Sequence, residues 1–163
     1  MSATIRSFDV LPKIIELGSF RWEYNILPSG DPAVENVEII EELLGETIDP
    51  DTLLGILRAK KVEYDEVAWP HRWESGAEYE LYTFQYGGKK YYALRVCNWT
   101  ADTWICEIDI FDKLRDAKKA IKSFYEMILD KAHDARNIVE DEDILNELED
   151  IIAYARKQIK ALR

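Results

Sequence analysis

Between Glu78 and Ile110 the chain alternates apolar and polar residues around the pair Gly87-Gly88. Two glycines supply the positive φ angles of a type I′ turn without a Cβ penalty, so this segment reads as a β-hairpin. The turn places Phe84 opposite Tyr91 and Tyr82 opposite Ala93. If a second hairpin turns at Ala101-Asp102, Trp99 faces Trp104 and Cys97 faces Cys106, at sites where opposed Cα atoms lie about 4.5 Å apart.

Side chains alternate faces along a strand, so one register fixes the whole pattern. Tyr82, Phe84, Tyr86, Tyr91, Ala93, Cys97, Trp99, Trp104, Cys106, Ile108 and Ile110 share one face, read as the core face. The other mixes Tyr79, Leu81, Tyr92, Leu94, Val96 and Ile105 with polar residues. It is too apolar to lie bare, so either the N-terminal third or a partner is expected to cover it.

Phe20 to Ile26 also alternates at period two and predicts a strand, while residues 4–18 fit strand or helix. Asp31-Pro32 predicts a helix start, with Val34, Val37, Ile40 and Leu44 at helical spacing up to Gly45. Asp49-Pro50 predicts a second, short helix through Leu53, Leu54 and Leu57, and residues 62–68 a strand. Asp112 is read as the cap of a helix whose stripe is Leu114, Ala117, Ile121, Phe124 and Ile128. Asp141, Glu142 and Asp143 open the last helix and Arg156, Lys157, Lys160 and Arg163 close it, as the helix dipole prefers.

The fold class is therefore α+β: an antiparallel meander of three to five strands packed with helices and ending in two long amphipathic helices. A chain of 163 residues suits one domain. We read residues 1–60 as an acidic helix-containing part, 62–110 as the meander and 111–163 as the helical pair. No long apolar run predicts a membrane span or signal peptide, and two cysteines do not argue for secretion, so a cytoplasmic location is expected.

The net charge is −11, and residues 1–50 hold 10 acidic and 3 basic side chains. Such a field opposes phosphate backbones and anionic membranes and favours basic partners. Glu35, Glu38, Glu41 and Glu42 lie opposite the apolar stripe of the first acidic helix. The loop Trp69-Pro70-His71-Arg72-Trp73 groups residue types enriched in interface hot spots, although its tryptophans could equally tuck inward as satellite core.

No glycine-rich phosphate loop, serine elbow, zinc-binding histidine pair or calcium loop occurs, and no catalytic residue or cofactor is assigned. Asp130, His133 and Asp134 share one helical region, but no second Asp/Glu-x-x-His completes a metal centre. Cys97 and Cys106 lie within disulfide reach, yet in a reducing compartment they are read as two small buried hydrophobes. No electropositive or histidine neighbour to activate a thiol is identified.

The leading functional expectation is an acidic module that binds and regulates or inhibits another, basic protein, using Glu35, Glu38, Glu41, Glu42, Trp69, His71, Arg72 and Trp73. The alternative is a small-ligand binder or enzyme whose aromatic pocket draws polar contacts from Arg95, Tyr82, Tyr91 or His71. A third reading places nucleic acid on the basic helix through Arg115, Lys118, Lys119 and Lys122. Self-association is expected through the apolar outer sheet face or the C-terminal helices.

Overall fold

The computed structural model describes residues 3–25, 33–70 and 75–162, with side chains from Val10 onward. Helix α1 (Ala3–Leu17) leads into strand β1 (Ser19–Asn25), then α2 (Glu35–Leu44) and α3 (Pro50–Ile56). Four consecutive strands follow: β2 (Lys60–Ala68), β3 (Gly76–Tyr86), β4 (Lys89–Trp99) and β5 (Thr103–Phe111). The chain closes with α4 (Leu114–Ile138) and α5 (Glu142–Ala161). The strands form one sheet in the order β1-β5-β4-β3-β2, and every neighbouring pair is antiparallel.

The register is the one the turn chemistry dictates. Gly87 and Gly88 both have positive φ, and Phe84 pairs with Tyr91 and Tyr82 with Ala93. The second hairpin pairs Trp99 with Trp104 and Cys97 with Cys106. Ala101-Asp102 is a weak turn pair, but Thr100 compensates. Its Oγ1 accepts hydrogen bonds from the backbone N–H of Asp102 and Thr103, at 3.3 and 3.2 Å.

Residues 10–17 resolve to helix because Val10 and Ile14 fall one turn apart and are both buried; Gly18, with φ 72°, ends it. The start of α2 differs from the sequence reading, and Asp31 and Pro32 themselves lie outside the described residues. Ala33 still makes an extended bridge to Trp22, so the helix begins only at Glu35, with Val34 at its N-cap and no side-chain cap. Asp49 does cap α3, accepting the Thr52 N–H at 2.7 Å. Asp112 does not cap α4. Lys113 holds the N-cap position, and the Asp112 carboxylate pairs with Lys89 at 3.3 Å.

Each face of the sheet carries a layer of helices. On the first, Phe20, Trp22, Phe84, Ala93 and Ile108 pack against Val10 and Ile14 of α1, Val37 and Ile40 of α2 and Leu53 and Leu54 of α3. On the second, Val67, Tyr79, Leu81 and Leu94 pack against Ala117, Ile121, Phe124 and Ile128 of α4 and Ala155 of α5. The face expected to need the N-terminal third or a partner is thus closed by the C-terminal helical pair. Among the described residues, Val67, Tyr79, Leu81 and Leu94 of that face are buried beneath it. Leu114, assigned to the buried stripe of α4, is exposed at its first turn.

Hydrogen bonds fasten this second layer. The hydroxyls of Tyr125 (α4) and Tyr154 (α5) both donate to the Asp65 carboxylate on β2, the latter at 2.6 Å, and Tyr79 donates to Glu63 at 2.9 Å. Burial pushes the Tyr79 and Tyr125 hydroxyls far above the ordinary tyrosine range, so they remain donors. In the first layer Trp22, wholly buried, donates its Nε1–H to the Ile48 carbonyl at 3.0 Å. We predict that Trp22→Ala destabilises the protein by about 3–5 kcal/mol, whereas Trp104→Ala costs under about 1 kcal/mol. Urea unfolding measures both, and equal losses would contradict the two-layer packing.

Candidate functional site

The parity that buries Phe20, Trp22 and Ile108 also sends Tyr24, Trp104 and Trp99 to the same face, at the end of the sheet beyond the main helical cover. There an open pocket of about 440 Å³ is walled by Tyr24, Trp99 and Trp104. Its charged lining is Glu66, Glu78 and Asp102, and no basic side chain lines it among the described residues. Trp104 is 47% exposed, an unusual state for so large an apolar ring.

Each wall has a local cause. Trp99 and Trp104 face each other across the second hairpin, whose turn residues 100–103 form the rim. The Trp99 ring lies directly over Gly76, and a Cβ built there would stand 2.7 Å from the ring and 2.7 Å from the Val67 carbonyl oxygen. Glycine is required at 76 because of this close approach. Glu66 and Glu78 are direct cross-strand partners on β2 and β3, an arrangement of like charges that disfavours folding.

The carboxylates are only partly neutralised. Arg95 Nη1 reaches Glu80 at 2.7 Å and Glu78 at 3.3 Å, and Lys61 reaches Glu80 at 3.1 Å. Burial pushes the Glu78 carboxyl up from its ordinary value, and the charges of Glu80 and Glu66 add to this against the pull of Arg95. Burial alone would raise Glu80 as well, but hydrogen bonds from Lys61 and Tyr82 and the charge of Arg95 outweigh it and leave Glu80 low. Glu66 accepts the Tyr64 hydroxyl, a bond that lifts that hydroxyl to about 12.

The acidic N-terminal part adds to the field. Burial first, then the charges of Asp49, Glu41 and Asp51, raise the Tyr24 hydroxyl above its usual range, with Arg95 opposing. Glu41 therefore acts toward the pocket wall, while its carboxylate also accepts the Ile48 N–H at 2.9 Å. Glu35, Glu38 and Glu42 lie exposed on α2. Trp69 is half-buried against the α4–α5 layer, and its N–H donates to the Ser75 carbonyl at 3.1 Å, closing the base of the loop. His71, Arg72 and Trp73 lie outside the described residues.

Behind the tryptophan pair, Cys97 and Cys106 form a disulfide with a Cα separation of 4.2 Å, and both are buried. This corrects the expectation of two separate thiols: directly opposed residues on one face bring their sulfurs together. Arg95 Nη2 lies 4.0 Å from Cys106 Sγ, an electropositive neighbour the sequence reading missed. Its signal was available, since Arg95 stands two residues before Cys97 and shares its face. His133 contacts Arg136 and Arg156, at 3.2 and 3.5 Å, rather than a carboxylate partner. Among the described residues no three metal-ligating side chains converge.

No family model matches this chain, and no curated protein or solved structure matches it. The pocket's own geometry must therefore carry the functional reading. We predict that Gly76→Ala, by displacing Trp99, destabilises the fold by about 1–3 kcal/mol and alters the near-ultraviolet dichroism of the tryptophans. A change under about 0.5 kcal/mol with an unaltered spectrum would show that the ring does not rest on this glycine.

Proposed function

We propose that this protein is an acidic interaction module that binds a basic protein and regulates or inhibits it, with the pocket at the sheet end as the centre of contact. One observation carries this reading: a pocket walled by Tyr24, Trp99 and Trp104 whose charged lining is Glu66, Glu78 and Asp102. Aromatic faces and carboxylates both attract cations, and a half-exposed tryptophan at the centre of a patch is the usual anchor of a protein interface. Glu41, Asp49 and Asp51 extend the negative field behind it. The exposed glutamates of α2 would steer a basic partner during approach.

The second reading, a small-ligand binder or enzyme, draws on the same pocket, whose volume suits a modest ligand. It also draws on the opposed shifts of Glu78 and Glu80, the kind of separation that acid–base pairs show. Against it, Arg95 and Tyr82, the polar groups expected to serve such a ligand, are committed to Glu78 and Glu80. Nucleic-acid binding would use Arg115, Lys118 and Lys119, exposed on α4; no second feature supports it.

No helix among the described residues is long and apolar enough to cross a membrane. The cytoplasmic site of action read from the sequence stands as a proposal against which the closed Cys97–Cys106 disulfide weighs, since such bonds persist in oxidising compartments.

The test is association kinetics with an immobilised peptide of alternating glycine, lysine and arginine, measured across a salt series. Joint replacement of Glu35, Glu38, Glu41 and Glu42 by Gln should slow association and flatten its salt dependence while thermal stability changes little. Association indifferent both to salt and to these substitutions would contradict the proposal.

A further inference from the structure

We infer that the sheet-end pocket receives an arginine side chain of the basic partner, its guanidinium lying against Trp104 and bridging Glu66 and Glu78. This rests on the interaction reading above and narrows it to one residue type. Glu66 and Glu78 face each other directly across β2 and β3, and Glu78 is partly buried, so their mutual repulsion is built into the folded protein. A cation placed between them relieves it. Arginine suits the geometry better than lysine, because a planar fork with five donors can address two carboxylates at once while its face stacks on an indole. An ammonium is a compact charge that holds its water more strongly.

The protein contains its own precedent one row along the same face. Arg95 spans Glu80 and Glu78 with a single guanidinium, at 2.7 and 3.3 Å, and its side chain is mostly buried. Glu66 and Glu78 form the next carboxylate pair, Glu78 being shared with Arg95, and Trp99 and Trp104 stand one row further on; among the described residues no basic side chain lines the pocket these groups wall. Trp104, unlike the wholly buried Trp22, keeps about half its surface open in the pocket that Glu66 and Glu78 also line, as a platform for a planar cation must. The occupant is a side chain of a protein rather than a metal ion, since no three-ligand group converges here among the described residues.

The experiment follows the tryptophan indole N–H signals of the full chain by nuclear magnetic resonance. The titrants are a blocked glycine-arginine-glycine peptide and its lysine counterpart. The inference expects the Trp104 signal to shift with the arginine peptide and a dissociation constant lower by about tenfold than for lysine. The double substitution Glu66→Gln and Glu78→Gln should weaken arginine binding by about tenfold or more, and Trp104→Ala should do likewise with an unchanged melting curve. Equal or tighter lysine binding would overturn the choice of arginine and leave the basic-partner reading standing. Shifts confined to the backbone of α2 would overturn the pocket as the site. No response to either peptide would overturn this inference, and the proposed function would then fall only if the salt-series association failed as well.

Discussion

The strand register fixed by the Gly87-Gly88 turn is the constraint on which the rest of the molecule depends. Side chains change face at every residue, so this one turn decides that Phe84, Ala93 and Ile108 meet the N-terminal helices and that Leu81 and Leu94 meet α4. The same parity carries Cys97 and Cys106 together and sets Trp99 against Trp104 at the open end. Core, disulfide and pocket follow from this register together with that of the second hairpin, which turns at residues 100–103. A slip of one residue in the second hairpin would turn Trp104 toward the C-terminal helices and dismantle that wall of the pocket.

The covered part of the first face is apolar and close-packed, whereas its exposed end gathers charge that packing alone does not require. Glu66 and Glu78 repel one another, Glu78 is forced upward by burial, and Trp104 leaves half its surface in water. Each of these features works against folding. Local conflicts of this kind concentrate where a protein meets something else, because the ligand supplies the missing partner. The opposite layer shows what the same residue types do when satisfied: Asp65 accepts from both Tyr125 and Tyr154.

Much of this was legible in the sequence, for physical reasons that differ from element to element. Turn glycines and period-two alternation are local signals, so the hairpin pairings from Phe84 to Cys106 could be read directly. Asp49-Pro50 announced α3 because capping is local too. Coverage is not local. The alternation showed two apolar faces but not which helices would lie on which, and the C-terminal pair took the face expected to be closed by the N-terminal third or a partner. The site was legible only in parts. The Trp99–Trp104 pairing and the acidic excess could be read, but both rings were assigned to the core, and the convergence of Tyr24, Glu66 and Glu78 with them needs the β1–β5 and β2–β3 pairings. These join strands 80 or so and 12 residues apart, and no turn motif specifies them.

The most direct test of the account is the register of the second hairpin, read from cross-strand Hα–Hα nuclear Overhauser effects. At non-hydrogen-bonded antiparallel pairs the two Hα atoms approach within about 2.5 Å, well inside the reach of the effect, given Cα separations of about 4.5 Å. The account predicts strong contacts between Cys97 and Cys106 and between Trp99 and Trp104. Strong contacts instead between Asn98 and Cys106 or Asn98 and Trp104 would place Trp104 on the other face from Trp99 and contradict it.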